Sequence, residues 1–502
     1  MRNLFRSICK KLKHVPRYLI ILSAVIILAT CLRLYRLDHQ GLWYDEAKIV
    51  SLAHEFSPWN MWNEEDSSKP VFTFLILRPW IKIFGLSEYA VRFPAVILGI
   101  LSVLLVYYLG SLVFNRQAGL ISAFLLAISP AGIYYSQQAF YSSMEIPAVL
   151  VSMFLFFKVL DRRHGLTALT VVNAVLVYAF ASCFFIVLVQ NFVIAIFYRQ
   201  DRDFSKRWFL SQIFVVFSLI AWWFIFTRTS PLRHAFYWVD HCTVRTLFET
   251  LENFSHGVFR FALGGTGFTL DRKYLLLPRV LLFTYVFLFL LGIAGIISES
   301  RRSGVVKLTV LMWLIFPIAS LFLFSKIFFP VFAYRFIIYC LPAYYLIIAY
   351  GLLRINPIRM RLGIITFITC LHFFPLRIIY EPSFTQFKKI SGWREIGSEI
   401  RRKIQAGDII VLSPLRQIVP FWYYYKPEEK TNRIVDEMAF EPKEKWETVY
   451  NDNNILIMGP ELGQAGKFVE KHEKYFKQAN TVWLVIAPYW PGQGNSREYF
   501  LN

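Results

Sequence analysis

Long apolar runs alternate with short polar segments along most of the chain. The runs fall at 18–35, 91–113, 118–134, 144–160, 165–182, 184–198, 208–226, 279–298, 308–328, 331–351 and 362–380. A helix needs about 20 apolar residues to cross a hydrocarbon core of about 30 Å, so the pattern predicts a polytopic helical membrane protein with about eleven transmembrane helices. The fifth and sixth runs are nearly continuous and require a tight turn between Ala181 and Phe184. Arg6, Lys10, Lys11, Lys13 and Arg17 precede the apolar stretch from Tyr18 to Leu32, and no small-residue cleavage pattern comes after that stretch; Arg33 and Arg36 follow instead. This reads as an uncleaved first span rather than a signal peptide.

Three polar stretches are too long to be simple turns: 37–90, 227–278 and everything after 380. Within the first, the apolar run from Val71 to Phe84 is interrupted by Arg78 and Pro79, which predicts a helix lying in the interface. In the tail, Trp393 to Ile404 has helical spacing, as does Gly463 to Phe476, whereas Asp408–Leu412, Asn454–Met458 and Val482–Ala487 read as strands. The expected organisation is a transmembrane part over 1–380, with the external loops 37–90 and 227–278, and a soluble extracytoplasmic α/β domain over 381–502.

Composition agrees with a lipid environment. Hydrophobic residues make up 56% and charged residues 17%, against about a quarter charged in ordinary soluble domains. The formal net charge is +21, but the basic residues form short clusters between apolar runs, not the continuous groove that a polyanionic strand needs. No nucleic-acid partner is expected; the partners are membrane lipids. Arg116, Asp161-Arg162-Arg163, the stretch Arg199–Arg207, Arg301-Arg302 with Lys307, and Arg354 with Arg359 and Arg361 fall on the side of the basic N-terminus. An excess of Lys and Arg marks cytoplasmic loops, which puts the N-terminus in the cytoplasm of a multi-pass cell-membrane protein and the tail outside. The six Cys are scattered without a close pair, giving neither a disulfide framework nor a thiolate metal site.

The external stretches hold the candidate chemistry. Gly41-Leu42-Trp43-Tyr44-Asp45-Glu46-Ala47 follows the first span. Two adjacent carboxylates at a partly desolvated surface can titrate differently, so that one could accept a proton from an acceptor hydroxyl or help hold a divalent cation. The plainer alternative is a solvated start of an interfacial helix. In the second loop His234, His241 and His256 lie near Asp240 without a definite ligand spacing, so a divalent metal is possible there or at Glu46, and ordinary polar contacts are the alternative. Gly264-Gly265-Thr266-Gly267 lacks the Lys and Ser or Thr of a phosphate loop.

Trp43-Tyr44-Asp45-Glu46-Ala47 resembles the first-loop motif of the polyprenyl-phosphate-sugar-dependent membrane glycosyltransferases, which include protein O-mannosyltransferases and aminoarabinose transferases and share the GT-C fold. The likeness continues through Lys69-Pro70, Phe84-Gly85, Glu88, Arg92, Pro94, Phe114-Asn115-Arg116, Ser129-Pro130 and Tyr134-Tyr135-Ser136-Gln137. It returns at Tyr334-Arg335-Phe336 with Pro342, at Gly392-Trp393-Arg394 and at Gly407-Asp408.

The resemblance implies transfer of a sugar from a polyprenyl phosphate to an acceptor hydroxyl on a lipid, glycan or protein, with inversion. Asp45 becomes the candidate base and Glu46 its support. Lys69, Arg335 and Arg92 become candidate contacts to the donor phosphate, although Arg92 also fits a snorkelling interfacial residue. Two departures stand out. Many bacterial relatives carry Glu and Arg where this chain has Gln138 and Phe140, and a Glu where it has Ser68. A transporter or flippase for a lipid-linked solute is the competing class; it should show inverted repeats or interrupted helices near mid-membrane.

Overall fold

The computed structural model describes residues 16–55, 71–162, 164–198, 200–229, 242–256, 276–299, 301–380, 392–413, 418–425, 448–450, 455–457, 470 and 473–486. Helices α1 (Arg17–Leu34) and α2 (Tyr44–Glu55) are followed by a π-helical segment, Val71–Leu77, that runs into α3 (Arg78–Phe84). The expected interruption at Arg78-Pro79 is therefore a change of winding, with Pro79 in the first turn of α3, where its missing N–H costs least. Leu75, Ile83 and Phe84 are exposed while Phe72, Leu77 and Ile81 are buried, the two-sided arrangement of an interfacial helix.

The remaining helices are α4 (Glu88–Val113), α5 (Arg116–Ala127), α6 (Pro130–Ser136), α7 (Ser142–Arg162), α8 (Leu166–Ala179), α9 (Phe184–Phe197), α10 (Arg202–Thr229), α11 (Val244–His256), α12 (Leu276–Ile297), α13 (Arg301–Ile327), α14 (Leu341–Leu353) and α15 (Ile358–Tyr380). Among the described residues seven helices are long and apolar enough to cross a membrane: α1, α4, α7, α10, α12, α13 and α15. The pair α5 and α6 is bent by 63°, and three shorter apolar helices lie at 166–179, 181–197 and 338–353. The turn expected between Ala181 and Phe184 is a 3-10 turn, Ala181–Cys183. The protein is a multi-pass membrane protein.

The helix ends sort into two groups. At one end the Arg116 guanidinium sits 4.7 Å over the Tyr18 ring and Phe114 packs on Tyr350 at 4.7 Å. Glu299 there accepts from Lys307 and Tyr350 and lies 3.9 Å from Arg354. At the other end Arg36 donates to the Tyr380 carbonyl at 2.7 Å, and the Tyr380 hydroxyl donates to the Leu32 carbonyl. The close of the first long helix and the close of the last thus meet, while the basic residues Arg116, Lys307 and Arg354 gather at the opposite pole.

Beyond α15 come α16 (Trp393–Lys403), β1 (Ile409–Ser413), α17 (Ile418–Tyr425), β2 (Thr448–Tyr450), β3 (Ile455–Ile457), α18 (Glu473–Gln478) and β4 (Val482–Ile486). The sheet order is β2-β3-β1-β4, with β1 parallel to both neighbours and β2 antiparallel to β3. Ile409 to Leu412 are all buried, as a central parallel strand requires. On β4 Val482 and Leu484 are exposed and Val485 is buried, the alternation of an edge strand. The sequence pattern did not signal α17 or β2. Of the helix expected over 463–476, only the stretch from Glu473 and the single residue Glu470 are described.

Candidate active site

The turn after α1 carries the acidic pair. Asp45 and Glu46 occupy the first turn of α2, where unpaired N–H groups and the helix dipole favour carboxylates. Successive residues of a helix point in different directions, and here the consequence is a division of environments. The Glu46 side chain is 1% exposed and that of Asp45 26%.

Glu46 is fully engaged. Its Oε1 accepts from Arg92 Nε at 2.9 Å and from the Ala139 N–H at 2.8 Å; its Oε2 accepts from Arg92 Nη2 at 2.7 Å and, at the limit of 3.5 Å, from the Trp43 N–H. Arg92, near the start of α4, also donates from Nη1 to the carbonyls of Leu37 at 2.8 Å and Gln40 at 2.7 Å, and from Nη2 to that of Gly41 at 3.0 Å. Those bonds use all five guanidinium donors. The geometry places both residues away from the roles expected of them. Every N–H of the buried Arg92 guanidinium is spent within the protein, and both oxygens of Glu46 accept from Arg92. Together they are a buried clamp on the 37–46 turn.

Asp45 faces a different partner. Its Oδ2 lies 3.6 Å from Nη1 of Arg335, whose side chain is 21% exposed. Arg335 belongs to a 3-10 turn, Tyr334–Phe336, that precedes α14, and its guanidinium lies 5.1 Å from the centre of the Phe336 ring. Beneath it Tyr334 packs against Tyr135 at 6.2 Å and against Phe254 of α11 at 5.4 Å. The Tyr345 hydroxyl donates to the Phe254 carbonyl at 3.0 Å and lies 2.9 Å from the Ser129 hydroxyl, from which it can accept, joining α11, α14 and the α5/α6 bend. Residues 45 and 335, some three hundred positions apart, thus form one partly exposed ion pair beside an aromatic cluster.

The bend itself is held by Arg33. This residue lies inside α1 with 1% exposure. Its Nη1 and Nη2 donate to the carbonyls of Ala127 and Leu126 at the broken end of α5, and its Nε donates to Ser136 Oγ at 3.2 Å. Ser129 caps α6 by accepting from the Gly132 N–H, and Gln137 Nε2 donates to the carbonyls of Arg33 and Tyr35. The bend thereby delivers the Ala139 N–H to Glu46. Gln138 and Phe140, the two departures from the family pattern, are both buried, and the Phe140 ring lies 6.1 Å from that of Trp43.

Among the expected site residues the structure brings Asp45 and Arg335 together and sets Glu46 with Arg92 behind them. Lys69, His234 and His241 lie outside the described residues, as do Ser68, Asp240 and Gly264 to Gly267, and the His256 side chain is likewise not described. No group of three His, Cys, Asp or Glu able to hold a metal occurs among the described residues. The sequence reading missed the capping role of Arg33 and the contacts of Tyr424 with the 41–46 turn. A lone Arg within an apolar run was the available signal for the first, since a charge in a span demands partners.

Residues 68–226 match the family model of dolichyl-phosphate-mannose-protein mannosyltransferases, a segment that includes Arg92 and the α5/α6 bend but begins after Asp45. An uncharacterized protein of Aquifex aeolicus (strain VF5) is 25% identical over 232 residues, 42% of this chain and 43% of that relative; the match spans under half of the relative's length. ArnT from Cupriavidus metallidurans, solved bound to undecaprenyl phosphate, has a TM-score of 0.53 at 11% identity, covering 86% of this chain and 91% of that one. The archaeal oligosaccharyltransferase AglB from Archaeoglobus fulgidus, in complex with an inhibitory peptide and a dolichol-phosphate, has a TM-score of 0.50 at 13% identity, covering 91% of this chain and 68% of that one. Fold and matched segment define the class: a multi-pass membrane protein with the GT-C fold, as the sequence resemblance implied.

Proposed function

We propose that this protein transfers a sugar from a polyprenyl-phosphate-linked donor to an acceptor hydroxyl at the extracytoplasmic membrane face, with inversion at the anomeric carbon. The observation that carries this reading is the Asp45–Arg335 contact, 3.6 Å across, built on a turn that buried Glu46 and Arg92 immobilise.

In this mechanism Arg335 receives the donor phosphate. Phosphate and Asp45 compete for the same guanidinium, so donor binding releases the Asp45 carboxylate as the donor arrives. Asp45 then takes the proton of the acceptor hydroxyl. The acceptor oxygen forms its bond to the anomeric carbon as the bond from that carbon to the phosphate oxygen breaks, and polyprenyl phosphate leaves with the electron pair. Arg335 stabilises the charge that grows on the leaving phosphate. Lys69, which follows the acidic helix in sequence, is assigned a second phosphate contact. The acceptor is a lipid, glycan or protein hydroxyl.

The accompanying topology has eleven crossings, with the bent α5/α6 pair and the three shorter helices each counted as one. The N-terminus is cytoplasmic, and residues 381–502 form an extracytoplasmic α/β domain on the transmembrane domain 1–380. The gathering of Arg116, Lys307 and Arg354 at one pole, with Tyr380 and Arg36 at the other, supports this orientation.

The test is mass analysis of lipid-linked sugars and glycosylated products in cells with and without the protein, repeated with Asp45→Asn. The expected result is accumulation of one polyprenyl-phosphate sugar and loss of one glycosylated product in both mutant strains. An unchanged profile, or full complementation by Asp45→Asn, contradicts the proposal.

A further inference from the structure

The 37–46 turn is held from a second direction. Tyr424, in α17 of the carboxyl-terminal segment, accepts the Leu42 N–H at 2.6 Å and donates its own hydroxyl to Glu88 Oε1 at 3.0 Å. Arg394, in α16, donates to the same Glu88 oxygen at 2.7 Å and to the Asp38 carbonyl at 2.7 Å. Tyr423 donates to the Leu86 carbonyl. Leu42 lies three residues before Asp45, and Glu88 begins the helix that carries Arg92. The same short turn is therefore gripped by Arg92 from the membrane helices and by Tyr424 and Arg394 from the tail.

Tyr424 is itself fixed by α16. Arg401 Nε and Nη2 donate to the carbonyls of Tyr425 and Tyr424, each at 2.6 Å, satisfying the open end of α17. Gly397 lets the two helices touch: a Cβ there would meet Tyr424 Cβ at 2.8 Å and the Tyr424 carbonyl carbon at 3.0 Å. Trp393 and Phe421 are buried against each other, with ring centroids 6.3 Å apart. The hydroxyl of Tyr424 is thus placed by a packed pair of helices, not by a free side chain.

We infer that the α16/α17 pair is a working part of the active site, with Tyr424 a positioning residue that sets the Leu42–Asp45 turn through the Leu42 N–H and Glu88. This rests on the assignment of Asp45 as the base. A base must sit within hydrogen-bond reach of the acceptor hydroxyl, and a misplacement of about 1 Å can cost about a hundredfold in rate. Tyr424→Phe leaves the ring packing intact, removes the acceptor of the Leu42 N–H, and deprives Glu88 of one donor. Gly397→Ala acts from the other side: it displaces the backbone of Tyr424 without deleting any polar group.

The experiment uses the full chain in lipid nanodiscs as wild type, Tyr424→Phe and Gly397→Ala. Amide exchange is followed over residues 37–47 and over α7 as an internal control. Turnover is followed with short-chain polyprenyl-phosphate mannose as the probe donor and a membrane extract of cells lacking the protein as the source of unmodified acceptor, reading polyprenyl phosphate release. The expected result is faster exchange at 40–45 in both variants with α7 unchanged, a kcat lowered roughly ten- to a hundredfold, and an unaltered KM for the donor. A general loss of stability would raise exchange in α7 as well and would leave the kcat of the folded fraction intact; that result overturns the inference. Unchanged exchange at 40–45 also overturns it. A wild-type protein that never turns over lipid-linked sugars defeats the assignment of function instead, and the exchange data then decide alone whether Tyr424 holds the turn.

Discussion

Asp45 and Glu46 carry the same functional group on adjacent positions, and their neighbours give them opposite tasks. Glu46 meets a guanidinium in two-point contact and a backbone N–H in a buried site, so its loss is a structural event. Breaking a buried ion pair costs about 3–5 kcal/mol because the surviving charge is stranded. Glu46→Gln and Arg92→Lys should accordingly lower the yield and melting temperature of detergent-solubilised protein, which fluorescence-detected thermal unfolding would report. Asp45→Asn should leave that melting temperature within a degree or two and lower turnover by about 10²–10⁴, the usual contribution of a general base. A comparable loss of stability in Asp45→Asn would mean that both carboxylates belong to the clamp. Arg335→Lys keeps a cation but not the forked donors, so donor KM should rise more than kcat falls. A donor KM equal to that of the wild type would remove the phosphate from Arg335.

At the scale of elements, several residues that carry the family likeness have local structural explanations. Asn115 caps α5 through the Ala118 N–H, and Ser129 caps α6, with Pro130 in its first turn. Gly407 adopts φ +90°, a backbone region that favours glycine, and its carbonyl accepts the Asn480 N–H just before β4. Close helix packing is set in the same way. A Cβ on Gly351 would lie 1.9 Å from the Leu288 carbonyl oxygen, and one on Gly292 would lie 2.3 Å from that of Ile347. Gly351→Ala should therefore force α12 and α14 apart and reduce folded protein in the membrane. Size-exclusion profiles of the solubilised variant would show aggregation in place of a single peak.

The sheet adds a pH dependence. Asp408 Oδ2 accepts from Trp483 Nε1 and from the Gln405 N–H, both at 3.0 Å, and these bonds hold the carboxyl below its ordinary range. A depressed pKa stabilises the folded form above the unfolded value, about 3.9 for Asp, and that contribution disappears as pH falls through the depressed value. The β1–β4 pairing should hold steadily above about pH 5 and weaken only in acid. Trp483→Phe removes the larger contribution, so protease cleavage within the tail of the intact protein should begin at a higher pH than in the wild type.

For the whole molecule, orientation is the accessible prediction. A single cysteine at Glu399, introduced into a background without native cysteines, should react with an impermeant maleimide added to intact cells. One at Arg207 should react only after permeabilisation. The reverse pattern would invert the topology and move Asp45 to the cytoplasmic face.

The linear order of residues determined the membrane character, the placement of most helices and the family likeness, because hydropathy and helix length depend on local composition alone. The break between α8 and α9 and the strands around residues 410, 456 and 484 were likewise legible from short-range pattern. The sequence also singled out Asp45, Glu46, Arg92 and Arg335 and, through the family resemblance, named Asp45 the base and Glu46 its support, but it did not give the partner of any of them. A role depends on which partners a side chain meets, and those partners are remote: Arg92 reaches back to Leu37 and Gly41, Arg335 reaches Asp45, and Tyr424 reaches Leu42. Only tertiary packing showed that Glu46 belongs to a buried clamp while Asp45 stays partly exposed beside Arg335. It did so because adjacent residues on a helix face different surroundings, one of which here is a fully saturated guanidinium.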